Sequence, residues 1–218
     1  NTEEKTLCVF QETTYKNTSS DTLHEIILQD WINAYADRDS QLGKRFSDEY
    51  VRSFHLASTK ERGKTSELHF IDENKYILRY KRLPNQEDVI SLKLNTPLAP
   101  SQSITYSYNY VIKLPSSKFT GIGYDEENGY VLKNCFITPT MYTNEGFIKD
   151  SNLNLDDMSN ALADYQITLE LPNNLSIISD ISDAQKKENR YFFEGKNKLN
   201  YSFYISEKNN SKIKYKPF

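Results

Sequence analysis

The sequence is poor in the residues that build metal centres and disulfide frameworks. Its two cysteines, Cys8 and Cys135, lie far apart in the 218 residues and show no ligand spacing. Two buried thiols are the expected state, with a single bridge between them as the alternative. The three histidines, His24, His55 and His69, are scattered and lack the close spacing of a zinc site. There is no basic excess: 27 lysines and arginines stand against 30 acidic residues, a formal net charge of −3. Nucleic-acid binding, which calls for a basic patch, is therefore not expected. Long apolar runs are missing too. Ile26-Ile27-Leu28 is three residues long, against the ~20 that a membrane-spanning helix needs. No G-x-S-x-G elbow, phosphate loop or dinucleotide fingerprint occurs.

What the chain does have is aromatics suited to strands: 16 tyrosines and 11 phenylalanines against two methionines and one tryptophan. Leu7–Tyr15 alternates, the polar Lys16–Asp21 reads as a turn, and Leu23–Leu28 resumes an apolar run. A β-hairpin is predicted there, closed by a buried aromatic corner at Asp30–Tyr35, which holds Trp31. Ser40 is a candidate N-cap. Leu42, Phe46, Tyr50, Val51 and Phe54 then form an apolar stripe, predicting one short helix over Ser40–Phe54. Period two returns in Lys64–Ile71, Tyr76–Lys81 and Val89–Leu94. The two prolines of Asn95–Ser101 predict a bend. Ser103–Leu114 has the strongest alternation, with Ile104, Tyr106, Tyr108, Tyr110 and Ile112 on the face expected to be buried. Pro115–Gly129 reads as a long loop holding three of the seven glycines, and Val131–Thr138 as a strand. Tyr142–Asp164 is polar, with a short helix predicted around Asp156–Ala163. Tyr165–Leu171, Leu175–Ile181, Tyr191–Glu194, Leu199–Ile205 and Ile213–Tyr215 complete the set. The expected fold is mainly β, a saddle-like or sandwich arrangement of antiparallel or mixed sheets with one short helical insertion at about 40–54, within a single domain over 1–218.

Three stretches imitate functional motifs. His24-Glu25-Ile26-Ile27-Leu28 has Leu28 where a zinc-binding H-E-x-x-H helix has its second histidine, and it lies in strand-like sequence. Asp150–Asp156 opens like a calcium loop, but Leu155 stands where the turn needs glycine and Ala161 where a bidentate glutamate belongs. Asp125–Gly129 reads as a solvated hairpin tip. Asn17, Asn174, Asn200 and Asn209 sit in N-x-S/T triplets.

A family resemblance runs from about Leu7 to Tyr204. Y-x-N-x-S-x-D-T-L at Tyr15–Leu23, followed by W-x-N-A-Y at Trp31–Tyr35, resembles the start of the N-terminal β-domain of bacterial aminopeptidase N-like zinc metallopeptidases, in the divergent bacterial branch of that gluzincin family. Thr96–Pro115 (TPLAPSQSITYSYNYVIKLP) resembles the family's proline-bounded strand. Ser117–Pro139 resembles the loop and strand that face its catalytic domain. Ala163–Ser179 and Asn189–Asn209 resemble its later strands.

The resemblance implies a non-catalytic domain. It would pack against its own catalytic domain in a longer parent and help form the cleft for that parent's peptide substrate. No cofactor is expected in this chain, and zinc is expected in the parent's catalytic domain. The parent would be a zinc-dependent aminopeptidase, periplasmic or in the cell envelope if it carries a signal peptide and cytoplasmic otherwise. No residue here is implied as catalytic or metal-binding. Asn134, Cys135 and Phe136 are implied at the substrate edge, although Asn134 stands where the family often offers Gln or Glu. Gly121, Gly123, Tyr124 and Tyr130 are implied at the interdomain face, with apolar surface of Tyr124, Tyr130 and Phe136 expected to be exposed. The residues alone leave two other readings open: a free-standing β-sandwich binding module, for example for glycans, and a structural domain of a homologue that has lost its zinc ligands.

Overall fold

The computed structural model describes residues 1–155 and 160–207. Strand makes up 52% of the chain and helix 8%, so the protein is mainly β. In chain order the strands are β1 (Thr6–Lys16), β2 (Leu23–Gln29), β3 (Lys64–Asp72), β4 (Ile77–Leu78), β5 (Tyr80–Leu83), β6 (Gln86–Leu98), β7 (Ser103–Lys113), β8 (Gly123–Asp125) and β9 (Gly129–Lys133). They continue with β10 (Thr138–Pro139), β11 (Tyr142–Thr143), β12 (Gly146–Phe147), β13 (Ala163–Glu170), β14 (Leu175–Ser179), β15 (Gln185–Lys187), β16 (Arg190–Lys198) and β17 (Ser202–Glu207). A 3-10 turn spans Trp31–Tyr35, and two short helices follow, α1 (Gln41–Asp48) and α2 (Arg52–His55).

The chain forms two compact units. The first comprises Asn1–Pro115 and Cys135–Ala161, the second Ser116–Asn134 and the chain from Leu162 onward. The first unit has two four-stranded sheets, ordered β1-β7-β3-β4 and β10-β2-β6-β5, and a small β11-β12 hairpin. The second has a β13-β16-β15 sheet and a β14-β17-β9-β8 sheet. The named strand pairs are antiparallel.

Alternation decides the first sheet. Tyr106, Tyr108, Tyr110 and Ile112 of β7 are all buried, as their shared parity predicts. Their rings stack along the strand, 5.8 Å between Tyr106 and Tyr108 and 5.6 Å between Tyr108 and Tyr110. Two of the three hydroxyls reach polar partners: Tyr108 donates to the Ile137 carbonyl at 2.8 Å and Tyr110 to Gln11 Oε1 at 2.7 Å. In the second unit, Phe193 and Phe203 pack edge to face at 5.1 Å, beside Tyr201.

The structure departs from the sequence reading in several places. β1 and β2 do not form a hairpin: β1 pairs with β7 and β2 with β6, in different sheets. Ile26, Ile27, Leu28 and Gln29 are buried in succession, so both faces of β2 are covered, and β10 and β6 flank it in the sheet. Asn17 governs the crossing between the two sheets. It is wholly buried, and its amide donates to the carbonyls of Asp21 and Leu98.

The predicted helix is two helices. Ser40 caps α1 as expected, accepting from the Gly43 N–H at 3.1 Å. Phe46 and Phe54, however, touch with ring centroids 5.3 Å apart. Eight residues of straight helix would separate them by about 12 Å. The chain therefore breaks at Tyr50, whose φ is 59° and whose side chain is 90% exposed rather than part of the stripe.

The predicted bend at Asn95–Ser101 is partly strand. β6 runs to Leu98, and the register shift opposite Leu23–Glu25 leaves Pro97 in a bulge where no ladder donor is needed. The long loop contains β8. The predicted strand Val131–Thr138 ends at Lys133, because Asn134 has φ 46°. Cys8 is exposed rather than buried; Cys135 is buried, and neither forms a disulfide. Of the helix predicted at Asp156–Ala163, residues 156–159 lie outside the described residues, Asn160 bridges to Thr140, and Ala163 begins β13. The strand predicted at Ile213–Tyr215 also lies outside the described residues.

Candidate functional site

Two regions come forward, one nominated by the sequence and one by the structure. The sequence-nominated residues fall on different elements. Gly123 and Tyr124 are in β8 and Tyr130 is in β9, with Tyr124 directly opposite Tyr130 across the strand pair. Tyr124 is only 8% exposed, so it adds little free apolar surface; Tyr130 and Phe136 are half-buried, and Gly121 is exposed at the tip of a turn. Asp125 closes the β8–β9 turn by accepting from the backbone of Glu127 and Asn128 at 3.0 and 2.9 Å. Those bonds hold its carboxyl below the usual carboxylate range.

Asn134 is buried and fully occupied by neighbours of its own unit. Its Oδ1 accepts from the Tyr201 N–H and its Nδ2 donates to Asn200 Oδ1, both at 3.2 Å. The left-handed backbone that asparagine tolerates lets Asn134 also donate its own N–H to the Tyr201 carbonyl at 3.2 Å. Cys135 and Phe136 belong to the other unit.

The structure-nominated region is the aromatic corner after β2. Asp30 carries no exposed side-chain surface and is held from three sides. Arg82 donates to Oδ2 at 2.7 Å, Thr65 Oγ donates to Oδ1 at 2.7 Å, and the Asp30 N–H donates to the Asp88 carbonyl at 2.7 Å. Burial pushes the Asp30 carboxyl above its ordinary range, against the pull of Arg82 and Thr65. Asp88 is likewise pushed up by burial, against hydrogen bonds from Asn152 and Ser151. Trp31 Nε1 donates to Gln29 Oε1 at 2.9 Å, and Asn152 Nδ2 donates to the Trp31 carbonyl at 3.2 Å. Arg45 reaches the Leu153 carbonyl, and Gln86 reaches the Lys149 carbonyl.

Beside this corner lies an open groove of ≈ 530 Å³, whose lining includes Trp31, Gln41, Gln86, Asp150, Leu153 and Leu155. The lining among the described residues holds one carboxylate and no lysine or arginine. Among the described residues no group of three or more histidines, cysteines or acidic residues could hold a metal ion. His24 is exposed on β2 while Leu28 is buried, so the imitation zinc motif does lie on a strand.

Solved structures similar to this chain include M1 zinc metallopeptidases. A mutant two-domain M1 zinc metallopeptidase bound to L-arginine is 10% identical with a TM-score of 0.42, over 89% of this chain and 37% of its own. An M1 zinc metallopeptidase from Deinococcus radiodurans is 9% identical with a TM-score of 0.40, over 90% and 37%. A mutant bound to L-tryptophan is 11% identical with a TM-score of 0.40, over 90% and 38%. The chain thus spans less than two fifths of these proteins' length. No protein-family model and no curated protein matches the sequence.

Sequence reasoning identified the Trp31 corner but missed the groove beside it. The groove is assembled from four separated stretches, and Gln41, its one α1 residue, lies outside the apolar stripe that the sequence shows. No helix among the described residues is long and apolar enough to cross a membrane.

Proposed function

We propose that this chain is the non-catalytic N-terminal β-domain of an aminopeptidase N-like zinc metallopeptidase. It packs against a zinc-bearing catalytic domain and walls one side of that domain's peptide cleft. The observation that supports this reading is the order of the four resembling stretches and where they fall. Thr96–Pro115 contains β7, Ser117–Pro139 contains β8 and β9, Ala163–Ser179 contains β13 and β14, and Asn189–Asn209 contains β16 and β17. Each stretch lands on strands of a mainly-β chain. The zinc of such a catalytic domain supplies the Lewis acidity that amide hydrolysis needs. This chain's own contribution is a wall and an interface, through the β8–β9 turn and the Asn134–Phe136 exit from β9.

The coding sequence beyond Phe218 is the first test. An H-E-x-x-H with a further zinc-binding glutamate downstream is expected, and a stop codon there would overturn the reading. The role in the cleft is tested by hydrogen exchange on the 218-residue chain and on the longer protein. Protection of residues 121–136 is expected to rise in the longer protein; equal protection in both removes the interface.

A further inference from the structure

β1 is an open edge of unusual length. All eleven of its residues, Thr6–Lys16, pair with β7 in one unbroken register, and among the described residues β1 ends the β1-β7-β3-β4 sheet, its outer side taken only at Thr6, which bonds Asn1 through both N–H and C=O. Natural edge strands are blunted by shortness, proline, bulges or charge. β1 contains no proline, glycine or bulge, and only two charged residues, Glu12 and Lys16. Not one of its residues is buried. Leu7, Val9, Gln11, Thr13 and Tyr15 point to the core side yet stay half-exposed, whereas Tyr106, Tyr108 and Tyr110 beside them on β7 are buried. On that side Gln11 donates to the Ile137 carbonyl at 2.8 Å and Tyr15 packs against Phe147 with ring centroids 6.1 Å apart, yet neither residue is fully covered.

We propose that this edge pairs with the same strand of a second copy of the chain. The two β1 strands run antiparallel about a two-fold axis at Gln11, joining two four-stranded sheets into one of eight. The pattern of β1 favours a copy of itself over an arbitrary extended peptide, because an isologous interface must be self-complementary. In the register centred on Gln11, Leu7 faces the other copy's Tyr15 and Val9 faces Thr13, while Thr6 keeps its bonds to Asn1. An apolar side chain thus covers an aromatic one on the core side, the kind of cross-strand pair that stabilises sheets. On the outer side Phe10 faces Glu12 and Cys8 faces Thr14, so no charge stands directly opposite its like. The inference is independent of the proposed parent.

The 218-residue chain itself is the test material. Sedimentation from micromolar to millimolar concentration is expected to show a monomer–dimer equilibrium. Cys8 is exposed and Cys135 buried, so a spin label goes to Cys8. The pairing sets the two Cys8 residues six positions apart along the strands, and electron-spin distance measurement is expected to read about 20 Å before allowance for the label. Phe10 is 69% exposed, so charge there leaves the monomer's core intact. Phe10→Glu sets a second carboxylate against the other copy's Glu12, and Phe10→Lys sets an ion pair there. The Glu variant is expected to dimerise about tenfold more weakly than the Lys variant. A chain that stays monomeric throughout overturns the proposal. So does a dimer in which the two variants associate alike, or one with a Cys8 separation far from that distance.

Discussion

Asp30 joins the end of β2 to β3 through Thr65 and to β5 through Arg82. Its wholly buried carboxylate makes the pair more demanding than a surface salt bridge. Replacing Arg82 by methionine strands that charge, and the unfolding free energy is expected to fall by about 3 kcal/mol at neutral pH. The sign of the pH effect follows from the raised carboxyl. The folded state holds the Asp30 proton more tightly than the unfolded one, so this group's contribution to stability is present below the ordinary value of about 3.9 and is lost as pH rises through the folded value. Removing Arg82 raises the folded value further, so the gap between wild type and Arg82→Met is widest at neutral pH and narrows as the pH falls. Urea midpoints at several pH values read this directly, and a gap that grows toward acid contradicts it. Asn134 offers a second check. Asn134→Ala loses two side-chain hydrogen bonds and places alanine at φ 46°, an expected loss of about 2 kcal/mol. Asn134→Gly loses only the bonds and is expected to cost less. Equal losses in thermal melts would show that the backbone conformation does not matter.

Among the elements, those decided by alternation were legible in the sequence. β7 and β3 lie where the period-two patterns put them, and the Trp31 corner is buried where the lone tryptophan predicted. Partnership between strands was not legible. The turn-like Lys16–Asp21 suggested a hairpin, but β2 lies between β10 and β6, a position that local turn chemistry cannot reveal. Helix continuity failed for a similar reason. The stripe Leu42, Phe46, Tyr50 and Phe54 is compatible with one helix until Phe54 folds back onto Phe46, and tertiary packing outweighs propensity there. Phe54, fully buried and stacked beneath Arg62 at 4.7 Å, is the anchor of that reversal. Phe54→Ala is expected to cost about 3–5 kcal/mol in chemical denaturation, whereas Tyr50→Ala, exposed as it is, should shift stability far less. Comparable losses from the two would mean that the stripe packs as one helix after all. Of the candidate site, the turn chemistry of Asp125–Gly129 could be read from the sequence. The inward burial of Tyr124 could not, since it depends on Tyr130 across the ladder.

At the scale of the whole molecule, the proposed division of labour leaves the hydrolytic chemistry outside this chain. The 218-residue protein is expected to keep no stoichiometric zinc after dialysis and to cleave no aminoacyl substrate. One equivalent of zinc, lost in His24→Ala, would overturn that. The route of the chain has a further consequence. It leaves the first unit after Pro115, returns at Cys135 and leaves again after Ala161. The first unit therefore borrows β10, which pairs with β2, and Asn152, whose N–H meets the Asp88 carboxylate, from a stretch that follows an excursion through the other unit. A ribosome making this chain must release residues well past 115 before β2 can gain its second neighbour. Until then the apolar run Ile26–Leu28 is a half-paired strand available to other nascent chains. A protein ended at Pro115 is expected to aggregate rather than fold, and no single proteolytic cut can free either unit whole.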